Sequence, residues 1–182
     1  MHQERIIMGI DPGTITMGYG VIQENGNKIH ALQYGILQLH KYPSQALKLQ
    51  KVFQHTLQIL EEFHPDEVAL EAPFYGKNVQ SMLKLGRAQG VAMAAALVRE
   101  IPITEYAPRK IKQAITGHGS ASKEQVAYML TSILQLQNIS NKLDATDALA
   151  VAVCHAYQKH QALEKSRNWD QFIREHPELV IT

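Results

Sequence analysis

Met8-Gly9-Ile10-Asp11-Pro12-Gly13 joins the end of an apolar run to a carboxylate and a turn dipeptide. Ile6, Ile7, Met8 and Ile10 form a short run that is unbroken rather than alternating, the pattern of a strand buried on both faces. Proline suits the second position of a tight turn and glycine supplies positive φ at the third, so the chain reverses just after Asp11. An acidic side chain is thereby left at the carboxyl end of a core strand, where open α/β sheets place their ligands. Asp-Pro also opens ordinary turns. Asp11 alone is thus either a turn starter or a functional carboxylate, and the choice depends on whether other acids point to the same place.

Outward from that strand, Thr16 to Gln23 reads as a second strand, in which Gly18 and Gly20 mark close approach by a neighbour. Asn25-Gly26 is a hairpin signal, and Ile29 to Leu39 is the returning strand. Three antiparallel strands therefore open the chain. Pro43-Ser44 starts a helix with serine as N-cap, and Leu49, Val52, Phe53, Leu57, Leu60 and Phe63 give it one apolar stripe. His64-Pro65 ends it. Val68-Ala69-Leu70 then repeats the first strand's arrangement, stopping at Glu71 before Ala72-Pro73. A strand, a helix and a strand in series favour a parallel pairing. If the first and fourth strands are neighbours, Asp11 and Glu71 end on one edge of the sheet.

The loop Phe74-Tyr75-Gly76-Lys77-Asn78 leads to a helix from about Gln80 to Arg99, rich in glycine and alanine, which permits close approach by another helix. Ile103 to Ala107 is a fifth strand, and Arg109 to Ile115 a basic helix. Ser122 with Gln125 fits a capping box, followed by a stripe of Val126, Met129, Leu130, Ile133 and Leu134. A last core helix runs from about Leu143 to Tyr157. The expected fold is α/β: a five-stranded mixed sheet, three antiparallel strands and then parallel ones, flanked by helices. Residues 1–158 form the domain, and 159–182, with Trp169 and Phe172, form a tail without an assigned role.

The last helix carries Asp144 and Asp147, three residues apart and so on one face, among apolar and small neighbours. Unpaired buried charge costs several kcal/mol, so these acids need a reason. Capping explains Asp144 well and Asp147 poorly. The alternative is one site of four acids: Asp11, Glu71, Asp144 and Asp147. Hard oxygen donors without a Cys/His cluster select magnesium or manganese over zinc. Two such ions activate water and stabilise a leaving oxygen of a phosphodiester. None of the nine histidines shows ligand spacing. His155, two turns past Asp147, is too far for coordination, and most of the nine read as surface residues.

The totals fit this reading. With 182 residues, 45% apolar and 19% charged, the chain has the composition of a single globular domain. No apolar run is long enough to span a bilayer, and the first residues lack the pattern of a secretory leader. One cysteine, Cys154, precludes an internal disulfide and favours a reducing, cytoplasmic setting; in an apolar helix it reads as an inert thiol. Net charge is +1, yet residues 77–123 hold eight Lys or Arg against Glu100 and Glu105. That asymmetry suits a polyanion on one face.

These residues carry a resemblance. Gly9-Ile10-Asp11-Pro12-Gly13 with Gly18-Tyr19-Gly20, the strand ending in Glu71, and Lys84-Leu85-Gly86 with Gly90-Val91-Ala92 resemble the RuvC family of Holliday junction resolvases. So do Gly117-His118-Gly119-Ser120-Ala121-Ser122-Lys123 and Asp144-Ala145-Thr146-Asp147-Ala148-Leu149-Ala150, in the same order, over roughly residues 5–157. The resemblance implies an RNase H-like fold and a magnesium-dependent endodeoxyribonuclease, two ions per site with manganese as substitute. It implies that Asp11, Glu71, Asp144 and Asp147 are the metal ligands, with Lys123 also catalytic. Phe74 would stack on a base at the junction centre, and Lys112 and Lys123 would lie near the scissile phosphate. Lys77 and Lys84 of the basic band would grip phosphates. Expected partners are four-way junction DNA, a second copy in a homodimer, and the RuvA-RuvB branch-migration complex. Ala72-Pro73 and the tail depart from the family pattern.

Three rivals remain at this stage. Actin-like ATPases and sugar kinases share the opening Gly-x-Asp-x-Gly but need a second domain. RNase H-like nucleases that process ribosomal RNA precursors would act on structured RNA. A non-catalytic junction-binding module would have little use for four acids.

Overall fold

The computed structural model describes residues 4–26, 28–73, 78–136, 145–158 and 174. Three antiparallel strands open the chain: β1 (Glu4–Asp11), β2 (Thr16–Asn25) and β3 (Lys28–Gln38). Helix α1 (Gln45–Phe63) leads to β4 (Glu67–Glu71), and α2 (Val79–Leu97) leads to β5 (Ile103–Tyr106). Helices α3 (Pro108–Thr116) and α4 (Lys123–Leu134) follow, then α5, described over 145–158. The sheet order is β3-β2-β1-β4-β5, with β4 parallel to both β1 and β5. This is the expected mixed sheet. The expected boundary between residues 1–158 and the tail falls among residues outside the description, as do Phe74, Lys77 and Asp144.

Alternation along β1 and β4 distributes the core. Met8, Ile10, Val68 and Leu70 face α1 and α2, where they pack with Val52, Ile59, Leu60, Ala92 and Ala95. Ile7 and Ala69 face the other way, against Leu149, Val153 and Ile111. Both faces are covered, which is why these strands are apolar without alternation. Among the described residues no helix is long and apolar enough to cross a membrane.

Local signals set the element ends. Ser44 caps α1 by accepting a hydrogen bond from Leu47 N–H, and His64 closes that helix in the left-handed region. Ser122 and Gln125 form both halves of a capping box at α4. Two readings need correction. Met129 is 37% exposed, not part of the buried stripe of α4, which runs through Val126, Ala127, Leu130 and Leu134. Gly13 is not at positive φ; Gly26 and Gly117 are. Its requirement is space, since a Cβ there would stand 1.8 Å from Thr16 O.

Candidate active site at the carboxyl edge of the sheet

Asp11 ends β1 and Glu71 ends β4. The parallel register pairs Ile7 with Glu67 and Ile10 with Leu70, so the two acids occupy the next step of the ladder on neighbouring strands. Strand alternation points both toward the face covered by α5, because Ile7 and Ala69 already lie there. Helix α5 brings Asp147. A bed of glycine lets it come so close: Gly9 and Gly20 are direct partners across β1 and β2. A Cβ on Gly9 would stand 2.1 Å from Ala148 O and 2.8 Å from Ala152 N; one on Gly20 would meet Leu149 at 2.8 Å. The helix backbone therefore rests directly on the strands, immediately beyond Asp147.

Asp11, Glu71 and Asp147 line one cleft of about 140 Å³ with Lys112 of α3, Lys123 of α4 and an apolar floor of Pro108, Ile111, Val126 and Ala150. Lys123 Nζ donates to Asp147 Oδ2 at 2.5 Å. It stands at the first position of α4, placed there by the Ser122 cap. The turn before it is tight: Gly117 ends α3 at φ 81°, and a Cβ on Gly119 would strike the Arg109 side chain at 2.6 Å.

Electrostatics mark Glu71. Burial, and then the Asp147 charge, raise its carboxyl above the ordinary value, while Lys123 and Lys112 pull it back. Two carboxylates lining one cleft, the charge of one raising the other, favour a cation that can neutralise both. The donor set is all oxygen, as a hard divalent ion requires. Among the described residues no three His, Cys, Asp or Glu side chains are close enough to hold a metal unaided. The expected fourth ligand, Asp144, lies outside those residues.

Of the other expected site residues, Lys84 is exposed on α2 and does not line the cleft, and Phe74 and Lys77 lie outside the described residues. Cys154 is fully buried and its thiol is pushed up to about 12, mainly by burial, so it is inert as expected. Sequence reasoning missed Gly9 as the seat of α5. It also missed what His155 does. That side chain is buried: its Nε2 lies 2.6 Å from Glu67 Oε2 and its Nδ1 2.8 Å from the Tyr106 hydroxyl.

Known proteins share this architecture. The family model for "Crossover junction endodeoxyribonuclease RuvC" matches residues 7–155. A curated protein of that name from Cytophaga hutchinsonii is 56% identical over 98% of this chain and 90% of its own length. Another from Christiangramia forsetii is 54% identical over 99% of this chain and 95% of its own. The solved structure of T. thermophilus RuvC in complex with Holliday junction substrate superposes with a TM-score of 0.80 at 31% identity, covering 87% of this chain and 96% of that one. An RNase H-like sheet, acids gathered at its carboxyl edge and these likenesses lead to one conclusion: the chain belongs to the RuvC family of crossover junction endodeoxyribonucleases.

Proposed function

We propose that this nuclease resolves four-way DNA junctions by paired symmetric nicks, with Asp11, Glu71, Asp144 and Asp147 as its metal ligands. The observation that carries the reading is the convergence of Asp11, Glu71 and Asp147 with Lys112 and Lys123 in one cleft at the sheet's carboxyl edge. Magnesium, two ions per site with manganese as substitute, would supply Lewis acidity to the phosphate and lower the pKa of the attacking water.

The chain's own side chains do the rest. The acids offer oxygen donors from a rigid sheet and a helix seated on it, so little reorganisation is needed. Lys112 and Lys123 supply positive charge to a phosphodiester entering the cleft. Lys123, 60% exposed, has the reach to turn from Asp147 toward a phosphate oxygen. Phe74 follows β4 by three residues and is the aromatic proposed to stack on a base at the junction centre. Lys77 and Lys84 belong to the basic band that grips phosphates farther out, an attraction that weakens as salt rises.

Paired nicks need two sites. The outward face of α2 carries Val79, Leu83 and Leu97, exposed, with Gly86 and Gly90, where an added Cβ would meet nothing within 4 Å. An apolar stripe with bare backbone suits a second copy of the same helix, hence a homodimer. The RuvA-RuvB branch-migration complex, a cytoplasmic setting and a nuclease domain spanning residues 1–158 complete the proposal. Structured RNA is not favoured as a substrate, since the relatives are named for action on DNA.

The test is an immobile synthetic four-way junction beside a linear duplex, with and without magnesium. Junction-selective, magnesium-dependent nicking is expected. Asp11→Asn should lose nicking while still binding the junction in a gel-shift assay. Persistent nicking by that variant would refute the ligand assignment.

A further inference from the structure

A polar chain starts at the end of the sheet opposite the cleft, on Arg5, Glu24 and Glu67, and ends on Tyr106, which is the register partner of Glu71 on β5. Arg5 on β1 donates to Glu24 on β2, from Nη2 at 2.5 Å and Nε at 2.8 Å, and to Glu67 on β4 from Nη1 at 2.9 Å. The other Glu67 oxygen meets His155 Nε2 at 2.6 Å, and His155 Nδ1 meets the Tyr106 hydroxyl of β5 at 2.8 Å. The rings of Tyr106 and His155 meet edge to face, centroids 5.7 Å apart. A carboxylate only accepts, so His155 Nε2 carries a hydrogen and donates to Glu67, while Nδ1 and the Tyr106 hydroxyl share the second bond. Burial, with smaller contributions from Cys154 and Glu67, pushes that phenol up to about 12, keeping its proton in place.

His155 joins α5 to the sheet at one end, and the cleft lies at the other. Helix and strand run in opposite directions between the two. Glu67 and Glu71 are four residues apart on β4, a span of ~13 Å at strand rise. Asp147 and His155 are eight apart on α5, ~12 Å at helical rise. The spans match. Pinning His155 to Glu67 therefore fixes where Asp147 arrives relative to Glu71. At Gly9 and Gly20 the helix backbone rests on bare strand, and the apolar contacts of Ile7 and Ala69 with α5 are non-directional, so the Glu67–His155–Tyr106 bonds add a directional contact to the register.

We infer that His155 is a positioning residue for the metal-binding acids: clamped between Glu67 and Tyr106, it sets the axial register of α5 on the sheet and hence the Asp147–Glu71 separation. The inference rests on the reading that those acids hold a divalent cation. A ring that merely filled space would leave the cation affinity to the acids alone. A ring that sets their spacing makes that affinity depend on a bond two helical turns away.

The test measures Mn²⁺ binding to the DNA-free full chain by the loss of its free-ion EPR signal, beside junction cleavage as a function of Mg²⁺. His155→Ala should weaken Mn²⁺ binding about tenfold, raise the Mg²⁺ needed for half-maximal cleavage, and leave junction affinity unchanged. His155→Gln keeps an N–H donor toward Glu67 and should restore most of the binding. Thr56→Val is the control for general loosening: Thr56 is fully buried in α1 and its hydroxyl donates to Val52 O, remote from both cleft and clamp. It should lower thermal stability without altering Mn²⁺ affinity. Should His155→Ala not fold, Glu67→Asp, which withdraws the acceptor by one methylene, reads the same clamp. Wild-type Mn²⁺ affinity in a folded His155→Ala, or in Glu67→Asp standing in for it, would overturn the inference, as would equal weakening by Thr56→Val. No Mn²⁺ binding by the wild-type chain would overturn the metal reading itself.

Discussion

At the scale of single residues, Gly9 matters as much as the acid two positions on. Its hydrogen is what lets α5 lie against β1, with Ala148 O only 2.1 Å from where a Cβ would be. The obstacle is backbone, which cannot rotate aside. Gly9→Ala is expected to cost 1–3 kcal/mol or more by overpacking, read by urea unfolding. It should also depress single-turnover cleavage while junction affinity holds, because α5 carries Asp147. Unaltered stability and turnover would show that the helix has room to spare. The carboxylates themselves were legible in sequence: acids after apolar runs and inside an apolar helix stand out against their neighbours. Gly9 was visible only as part of a motif, because the atom it makes way for belongs to a segment far along the chain. The burial of His155 was hidden for the same reason, its partners lying on β4 and β5.

At the scale of elements, what the sequence revealed was what neighbouring residues decide. The Asn25-Gly26 hairpin, the Ser44 cap, the left-handed stop at His64 and the Ser122–Gln125 box are all short-range hydrogen-bonding or backbone preferences. Met129 was misplaced because a three- and four-residue rhythm does not reveal how wide a stripe the neighbours cover; on α4 the buried face turns through Ala127 instead. The box has a functional side. Ser122→Ala should cost about 1 kcal/mol in chemical denaturation and fray the turn that presents Lys123, lowering cleavage more than junction binding. Equal losses in both would assign Ser122 to general stability alone.

At the scale of the whole molecule, the sheet changes from antiparallel to parallel between β2 and β4, and β1 belongs to both halves. Its carboxyl end is therefore bordered by a second strand ending alongside it, which makes the crevice that open α/β sheets use for ligands. The stripe on α2 predicts assembly. Leu83→Lys, a charge at a position 56% exposed, should shift sedimentation from dimer to monomer with little change in protomer stability. A dimer that survives the change would move the interface elsewhere.

The cleft draws its acids from the first strand, from a strand in the middle and from the last described helix. During synthesis Asp11 and Glu71 emerge early, yet the cleft they share with Asp147 forms only once the segment around residue 147 has left the ribosome and docked. Closing so long a loop is among the slower, later events in folding. On the proposed ligand set the centre is completed last, so a chain cut short before α5 is expected to leave junction DNA intact.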